Sequence, residues 1–377
     1  MAADRHTFFV TCAPGVEPVL HAEVRALRLG KVERQVGGVR FEGPLEDAWR
    51  ANLELATAVR VLLRLARFPA ADGDALYAGA VEIPWERYLA PEGTLAVQAQ
   101  SSASALDHTL FLEQRVKDAI VDRLRARRGT RPSVDRDDPD LAVHVHVFSD
   151  RVTLSLDSSG APLHRRGWRV HQGRAPLAET LAAAVLRHSG WDGNAPLLDP
   201  FAGSGTILVE AAWQALGLAP GHRRTFGFER WPGHDARRFA ALRAERSRPT
   251  RTRRRPVLRG LDLDPERVEE ARANCVAAGV GDWVEVAVGD ARELELTPGW
   301  NAWIVTNAPY GQRVGDEAEL VETFRALGAR LREHGQGCQL ALLAGRGEHV
   351  RALALRGLER IALVNGGLEC VLAVGTV

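Results

Sequence analysis

Lysine is almost missing from this 377-residue sequence: Lys31 and Lys117 are the only two among 49 basic side chains, and the rest are arginines. Charge of one sign is not in excess either, the formal net charge being +1, so any grip on a polyanion must come from local clusters rather than from the sum. Cysteine is scarce. Cys12, Cys275, Cys338 and Cys370 are dispersed with no pair at metal-ligand spacing, and free buried thiols are expected. No apolar run approaches a membrane span, and the N-terminus, MAADRHTFFVTCAPG, lacks a long signal-peptide core, so the chain is expected to be cytoplasmic and to have no membrane contact. A Gly-Lys-Ser/Thr ending is absent from its glycine-rich loop, which excludes the usual triphosphatase chemistry.

What is present is an ordinary globular composition, 45% hydrophobic and 26% charged, long enough for two or three domains. The strongest signal is DPFAGSGT at Asp199 to Thr206, directly after the apolar PLL. Leu197 and Leu198 end a strand, Gly203 and Gly205 permit a tight turn, and Ile207 to Leu216 continue as an amphipathic helix. Such a unit lets backbone N–H groups approach a ligand at a helix N-terminus. Further on, GLDLDPERV reads as a strand from Gly260 to Leu263 with Asp262 at its end, followed by a helix opened by Pro265 and capped by Asp264. Asp262 is placed to take ribose hydroxyls. It lies 57 residues beyond Gly205 instead of the usual 20 or so, so an insertion must intervene. A third strand, Val284 to Val288, leads to Asp290, which is either a turn aspartate or a further ligand contact. NAPY follows the apolar WIVT and places Asn307 at a fourth strand end.

DPFAGSGT, GLDLD, GD and NAPYGQR follow the motif order of class I S-adenosylmethionine-dependent methyltransferases that modify exocyclic amino groups. LHRRGWRVHQGRAPLAETLAAAVLRHSGW before the loop, FGFERWPGHD after it and LVNGGLEC near the C-terminus resemble the RlmL-type THUMP-domain guanine-N2 methyltransferases of 23S rRNA. FFVTCAPGVEPVLHAEV, GGVRFEG, RANLELATAVRVLLRLARF and LYAGAVEIPWERYL resemble the same family's N-terminal and THUMP regions, so the likeness spans nearly the whole chain.

The resemblance implies S-adenosyl-L-methionine as cofactor, held by Asp199, Phe201, Ala202, Gly203, Ser204, Gly205, Asp262 and Asp290, with Pro176 and Leu177 in the cofactor wall. It implies a catalytic set of Asn307, Ala308, Pro309 and Tyr310. The Asn307 side-chain oxygen and the carbonyl of residue 308 would accept from the target amine, and Tyr310 would stack on the extruded base. The family's usual motif has proline at 308. Alanine keeps the carbonyl, and Pro309 still biases Ala308 toward an extended backbone, but proline's locked φ is lost, an effect on the order of 1 kcal/mol.

The expected fold is α/β: a Rossmann-like methyltransferase domain with a mostly parallel seven-stranded sheet, preceded by α+β ferredoxin-like and THUMP domains. The division is 1–66, 67–158 and 159–377, with SSGAPLHRRGWRVHQGRAP read as a linker near residue 160. Phe8 to Cys12, Val39 to Phe41 and Val59 to Phe68 read as strands or mixed apolar segments, separated by helical stretches around Val16 to Leu27 and Leu45 to Leu55, and a strand is expected around Leu95 to Ala99. A helix follows through Leu112, Val116, Ile120 and Leu124, then a hairpin of Leu141 to Phe148 with Val152 to Leu156. In the catalytic half, strands at Leu197 to Asp199, Gly260 to Leu263, Val284 to Val288, Ala302 to Thr306, Gln339 to Leu343 and Glu369 to Val374 alternate with helices. His144 and His146 share one strand face, away from the core, and no metal is expected because no third ligand accompanies them.

The expected substrate is RNA: 23S rRNA or a ribosomal precursor first, tRNA second, since THUMP regions serve tRNA enzymes too. A non-catalytic RNA-binding protein with a degenerate methyltransferase fold is the third reading, with Ala308 its only hint. Arg246 to Arg255 (RSRPTRTRRR) is either a solvated loop or an RNA contact, and Arg123 to Arg131 forms a second basic cluster at the end of a helix in the N-terminal half. Some RlmL-type proteins carry a second methyltransferase module, for which 377 residues leave no room, so a single site is expected.

Overall fold

The computed structural model describes residues 5–172, 177–250, 255–297, 299–309 and 317–377. Alternation of apolar and polar residues builds the first half. In β1 (His6–Thr11), Phe8 and Val10 are buried while Phe9 turns the other way. The chain continues through α1 (Glu17–Ala26), β2 (Val32–Gln35), β3 (Gly38–Gly43), α2 (Leu45–Glu54), β4 (Arg60–Pro69) and α3 (Gly73–Val81). It then runs through β5 (Thr94–Ser102), α4 (Thr109–Arg128), β6 (Ser133–Val134), β7 (Leu141–Phe148) and β8 (Arg151–Asp157). Helix α4 buries Leu112, Val116, Ile120 and Leu124 at the helical spacing the sequence shows, and ends at Gly129 with φ 71°.

These strands form one eight-stranded sheet in the order β2-β3-β1-β4-β8-β7-β5-β6. Strand β4 pairs with β1 on one side and β8 on the other, so the sheet runs unbroken through the expected boundary at 66/67. Buried side chains of α1 to α4 and of one sheet face share a single hydrophobic cluster. His144 and His146 lie on the other face, as the alternation requires.

The second half contains α5 (Glu179–Ser189), β9 (Leu197–Asp199), α6 (Thr206–Leu216), α7 (Ala236–Arg246), β10 (Leu258–Asp262), α8 (Pro265–Ala277) and β11 (Val284–Val288). Next come β12 (Trp303–Asn307), α9 (Glu317–His334), β13 (Gln339–Ala344), α10 (Gly347–Ala352), β14 (Glu359–Asn365) and β15 (Leu368–Thr376). The seven strands order as β11-β10-β9-β12-β13-β15-β14. β9 to β13 pair in parallel, while β15 runs antiparallel to both β13 and β14. Strand β14 escaped the sequence reading because it lies at the sheet edge and buries only Leu363.

Of the segment read as a linker, residues 158–172 are described, and they form a strap anchored in the protein through the buried Leu163, Arg166 and Trp168. Arg166 is 2% exposed; its Nε lies 3.1 Å from Glu210 Oε1, and it also donates to the carbonyls of Leu163 and Ala56. The insertion between α6 and β10 is a clasp. Phe226, Phe228, Trp231 and Phe239 join the core of the first half, where Trp49 stacks on Phe228 at 6.0 Å and meets Phe239 edge-on at 5.8 Å. Arg230 grips Asp138 with two hydrogen bonds of 2.7 and 2.8 Å, and Arg238 reaches Glu46 at 2.7 Å. Residues 251–254 of the basic run lie outside the described residues.

Among the described residues no helix is long and apolar enough to cross a membrane, and the four cysteines form no disulfide.

Candidate active site

From β9 the chain builds β10 and β11 toward one edge of the sheet, then returns to add β12 and β13 on the other side. A crevice opens at the carboxyl ends of strands where the order reverses in this way, here between β9 and β12. Asp199 ends β9, Asp262 ends β10, Asp290 follows β11 by two residues and Asn307 ends β12.

The glycine loop is shaped by backbone contacts. Ala202 N–H donates to the carbonyl of Leu261 and Gly205 N–H to that of Ala202. Gly205, at φ 80°, caps α6, and a Cβ there would stand 3.2 Å from Ala271 Cβ. Gly203 is also left-handed, at φ 53°. No acidic side chain occupies the first turn of α6, leaving the positive end of the helix dipole uncompensated by its own sequence.

Each carboxylate has a distinct environment. Asp199 is 2% exposed; its Oδ1 accepts from Thr306 Oγ1 at 2.6 Å and from Phe201 N–H at 3.2 Å. Burial is the largest influence and, with the nearby Asp262 charge, outweighs those two bonds, so the carboxyl is pushed up to about 7. Asp262 accepts from Gly203 N–H at 2.9 Å through one oxygen and from Asp264 N–H at 3.0 Å through the other. Asp264 itself caps α8 through Glu266 N–H. Asp290 caps a short 3-10 turn and is gripped by Arg292, whose hydrogen bonds hold its pKa below the usual carboxylate range.

Asn307 Oδ1 is buried and has no hydrogen-bond partner among the described residues. A buried acceptor left unmatched costs free energy, which a donor entering the crevice would recover. Ala308 is fully buried and its N–H donates to the carbonyl of Leu343 at 3.0 Å. A proline at 308 could not make that bond, so this chain extends the β12–β13 pairing by one link where the usual motif cannot. Pro309 is half-buried. Tyr310 and Pro176 lie outside the described residues. Leu177 packs its side chain in the second half's core, while its carbonyl accepts from Arg169.

Three residues of the site went unread in the sequence. Thr306 passes for a strand residue until its hydroxyl is seen on Asp199. Arg169, in the strap, donates to Ser204 Oγ at 3.1 Å, Thr206 Oγ1 at 2.9 Å and Glu179 Oε1 at 2.8 Å. Asn274, wholly buried in α8, accepts from the N–H groups of Val170 and His171 and donates to the carbonyls of His171 and Ser204. Arg169 and Asn274 together tie the strap to the glycine loop through the hydroxyl and carbonyl of Ser204. Among the described residues no three His, Cys, Asp or Glu side chains are grouped to hold a metal ion.

Residues 166–374 match the family described as RMKL-like, methyltransferase domain; residues 70–157 match the THUMP domain and residues 7–62 the RlmL ferredoxin-like domain. The ribosomal RNA large subunit methyltransferase K/L of Pseudomonas paraeruginosa is 42% identical over 98% of this chain and 52% of its own length. Its counterpart in Stutzerimonas stutzeri is 40% identical with the same coverage. The chain thus spans about half the length of these curated relatives. Among solved structures, a methyltransferase-like protein complexed with SAH superposes with a TM-score of 0.91 at 27% identity, over 99% of this chain and 98% of its own. A predicted N6-adenine-specific DNA methylase from Listeria monocytogenes gives 0.88 at 29% identity, over 99% and 97%. A family match over more than half of the sequence, on a seven-stranded sheet whose strand ends carry the motif residues, makes this chain a member of the RMKL-like methyltransferases.

Proposed function

We propose that this chain transfers a methyl group from S-adenosylmethionine to the exocyclic N2 of a guanosine in 23S rRNA. The observation that carries the reading is the buried Oδ1 of Asn307, without a partner among the described residues and tied through Thr306 and Asp199 to the glycine loop. The residues present fit the cofactor. Gly203 and Gly205 hold left-handed turns that keep side chains off the ligand's path, and Asp262 braces the loop while offering carboxylate oxygens to ribose hydroxyls. When bound, S-adenosylmethionine supplies an electrophilic methyl group on a positively charged sulfur.

The protein's own work is then orientation and exclusion of water. Asn307 Oδ1 accepts a hydrogen bond from the amino group and turns its nitrogen toward the methyl carbon. The carbonyl of Ala308 is assigned the second acceptor role. Methyl transfer would form the nitrogen–carbon bond as the carbon–sulfur bond breaks, with S-adenosylhomocysteine leaving as the neutral thioether and the surplus amine proton passing to solvent. Acceptors on the amine favour the positive charge that develops there, which is a transition-state effect more than a binding one. The two large-subunit rRNA methyltransferase relatives support rRNA as substrate, and the resemblance of LVNGGLEC supports guanine N2.

The test is transfer of labelled methyl from S-adenosylmethionine to protein-free 23S rRNA and, separately, to bulk tRNA, followed by nucleoside analysis. N2-methylguanosine in rRNA is the expected product. The same product in tRNA alone would replace the substrate, and a different methylated base would replace the acceptor atom. No transfer to naked RNA or to ribosomal precursor particles, with the cofactor bound, would mark a degenerate site.

A further inference from the structure

Helices α1 to α4 cover one face of the eight-stranded sheet; on the other face Arg67, Gln98, Gln100 and His146 are exposed, Arg64 and His144 are half-buried, and Ser155 and Asp157 of β8 are buried. Side chains three positions apart on a regular strand face opposite sides. Strand β4 breaks that rule with a bulge between Arg64 and Ala66, so that Arg64 pairs with Ser155 and Arg67 with Thr153, two positions apart on β8. Both arginines therefore emerge on that other face. Their rows continue through His144 and His146 of β7 to Gln98 and Gln100 of β5. On the other side Phe9 lies on the same face, its ring centre 4.8 Å from the Arg64 guanidinium carbon.

The charge on this face is unbalanced. Arg40, opposite Phe9 on β3, is matched by Glu33 and Glu42, and the one acid on β8 of this face, Asp157, pairs with Arg60 and lies 3.6 Å from His144 Nε2. Arg64 and Arg67 form no ion pair among the described residues, and the side-chain partner of Arg64 is the neutral Gln35 at 3.4 Å. Burial first, then Arg40 and Arg67, lower the pKa of Arg64; burial, Arg64 and Arg67 lower that of His146. Two guanidinium groups brought together by a bulge, without an acid between them, repel each other until an anion arrives.

We propose that this face holds an RNA strand, Arg64 and Arg67 contacting its phosphates and the histidine and glutamine rows facing its riboses and bases. The inference rests on the RNA reading above and deepens it: the surface is built jointly by the first two units, because β4 belongs to both. Charge complementarity selects the occupant. A neutral or basic partner would leave the arginine pair unmatched, and a phosphodiester strand offers anions at regular spacing.

The full chain, wild type and R64Q/R67Q, is titrated with protein-free 23S rRNA by filter binding over a range of salt. Each lost phosphate contact on a single strand flattens the log–log salt dependence by about 0.7, so the double variant is expected to lose roughly 1.4 from its slope. R67Q, altered at an exposed position, is expected to lose about half of that. S-adenosylmethionine binding by calorimetry should be unchanged in both, which verifies the fold. Unchanged slopes in both variants overturn the surface while leaving the RNA reading intact. A wild-type protein that binds neither 23S rRNA nor tRNA overturns both. Altered oligomeric state of the variants with unaltered RNA affinity assigns the face to a second copy and overturns the proposal.

Discussion

Thr306 and Asp199 are joined by a 2.6 Å hydrogen bond between hydroxyl and carboxylate, both side chains buried. The backbone pairing of β9 with β12 stops at Leu198 and Ile304, so the strands part just before the site. The side-chain bond spans the gap. It fixes the residue preceding Asn307 to the residue that begins the glycine loop, and thereby the proposed target-base side to the proposed cofactor side.

Thr306→Val keeps the shape and removes the donor. The expected result is a stability loss of about 1 kcal/mol, with a fall in kcat for methyl transfer larger than any change in cofactor Kd. Denaturant melts and single-turnover assays measure the two. An unchanged kcat would show that Asn307 is positioned without this bond.

Burial makes Asp199 a pH sensor of stability. Its folded pKa, near 7, lies above the unfolded value, so between roughly pH 4 and 7 the folded state binds more protons and stability falls as pH rises. Asp199→Asn should remove this slope. The wild-type-minus-variant difference in Tm is expected to decline across pH 5 to about 8, following the sign of the linkage. A flat difference would place the carboxyl at its ordinary pKa.

Asn307→Ala separates catalysis from folding. Methyl transfer should be lost and cofactor affinity kept. Because the Oδ1 is buried without a partner among the described residues, truncation should leave stability unchanged or raise it by up to ~1 kcal/mol. Transfer assays, calorimetry and thermal melts read these together; retained turnover would remove Asn307 from the mechanism.

Gly205→Ala meets both a left-handed φ and the Ala271 contact, whereas Gly203→Ala meets φ alone with open space around it. The first should cost on the order of 2 kcal/mol and weaken S-adenosylmethionine binding; the second should cost about 1. Equal costs would mean that Ala271 yields and α8 does not define the loop.

Arg166→Ala strands Glu210 in the core. A loss of 3–5 kcal/mol or so is expected, partly restored by adding Glu210→Gln, since the penalty is that of an uncompensated buried charge. A surface-like loss below about 1 kcal/mol would argue that water reaches the pair.

Local patterns in the sequence carried most of the architecture. DPFAGSGT dictates a strand, a turn and a helix because only glycine is at ease at the φ of Gly203 and Gly205. Alternation set the inward faces of β1 and β7, and Asp264 with Pro265 marked the start of α8. The same order of strand ends placed Asp199, Asp262 and Asn307 along one rim. These features depend on a residue and its near neighbours, so they can be read from the chain.

Tertiary contact decided the rest. Nothing local distinguishes Thr306 from another strand threonine, or Arg169 and Asn274 from solvated polar residues, until segments far apart in sequence bring their partners. Arg166 anchors the strap read as a linker because it finds Glu210, 44 residues on. The long insertion earned no structure from its composition, yet its aromatic residues complete the core around Trp49. Ala308 looked like a loss of rigidity, and its value emerged only with Leu343 opposite its N–H. In each case the physical reason is the same: burial changes what a polar group is worth, and burial is a property of the folded chain, not of the residue.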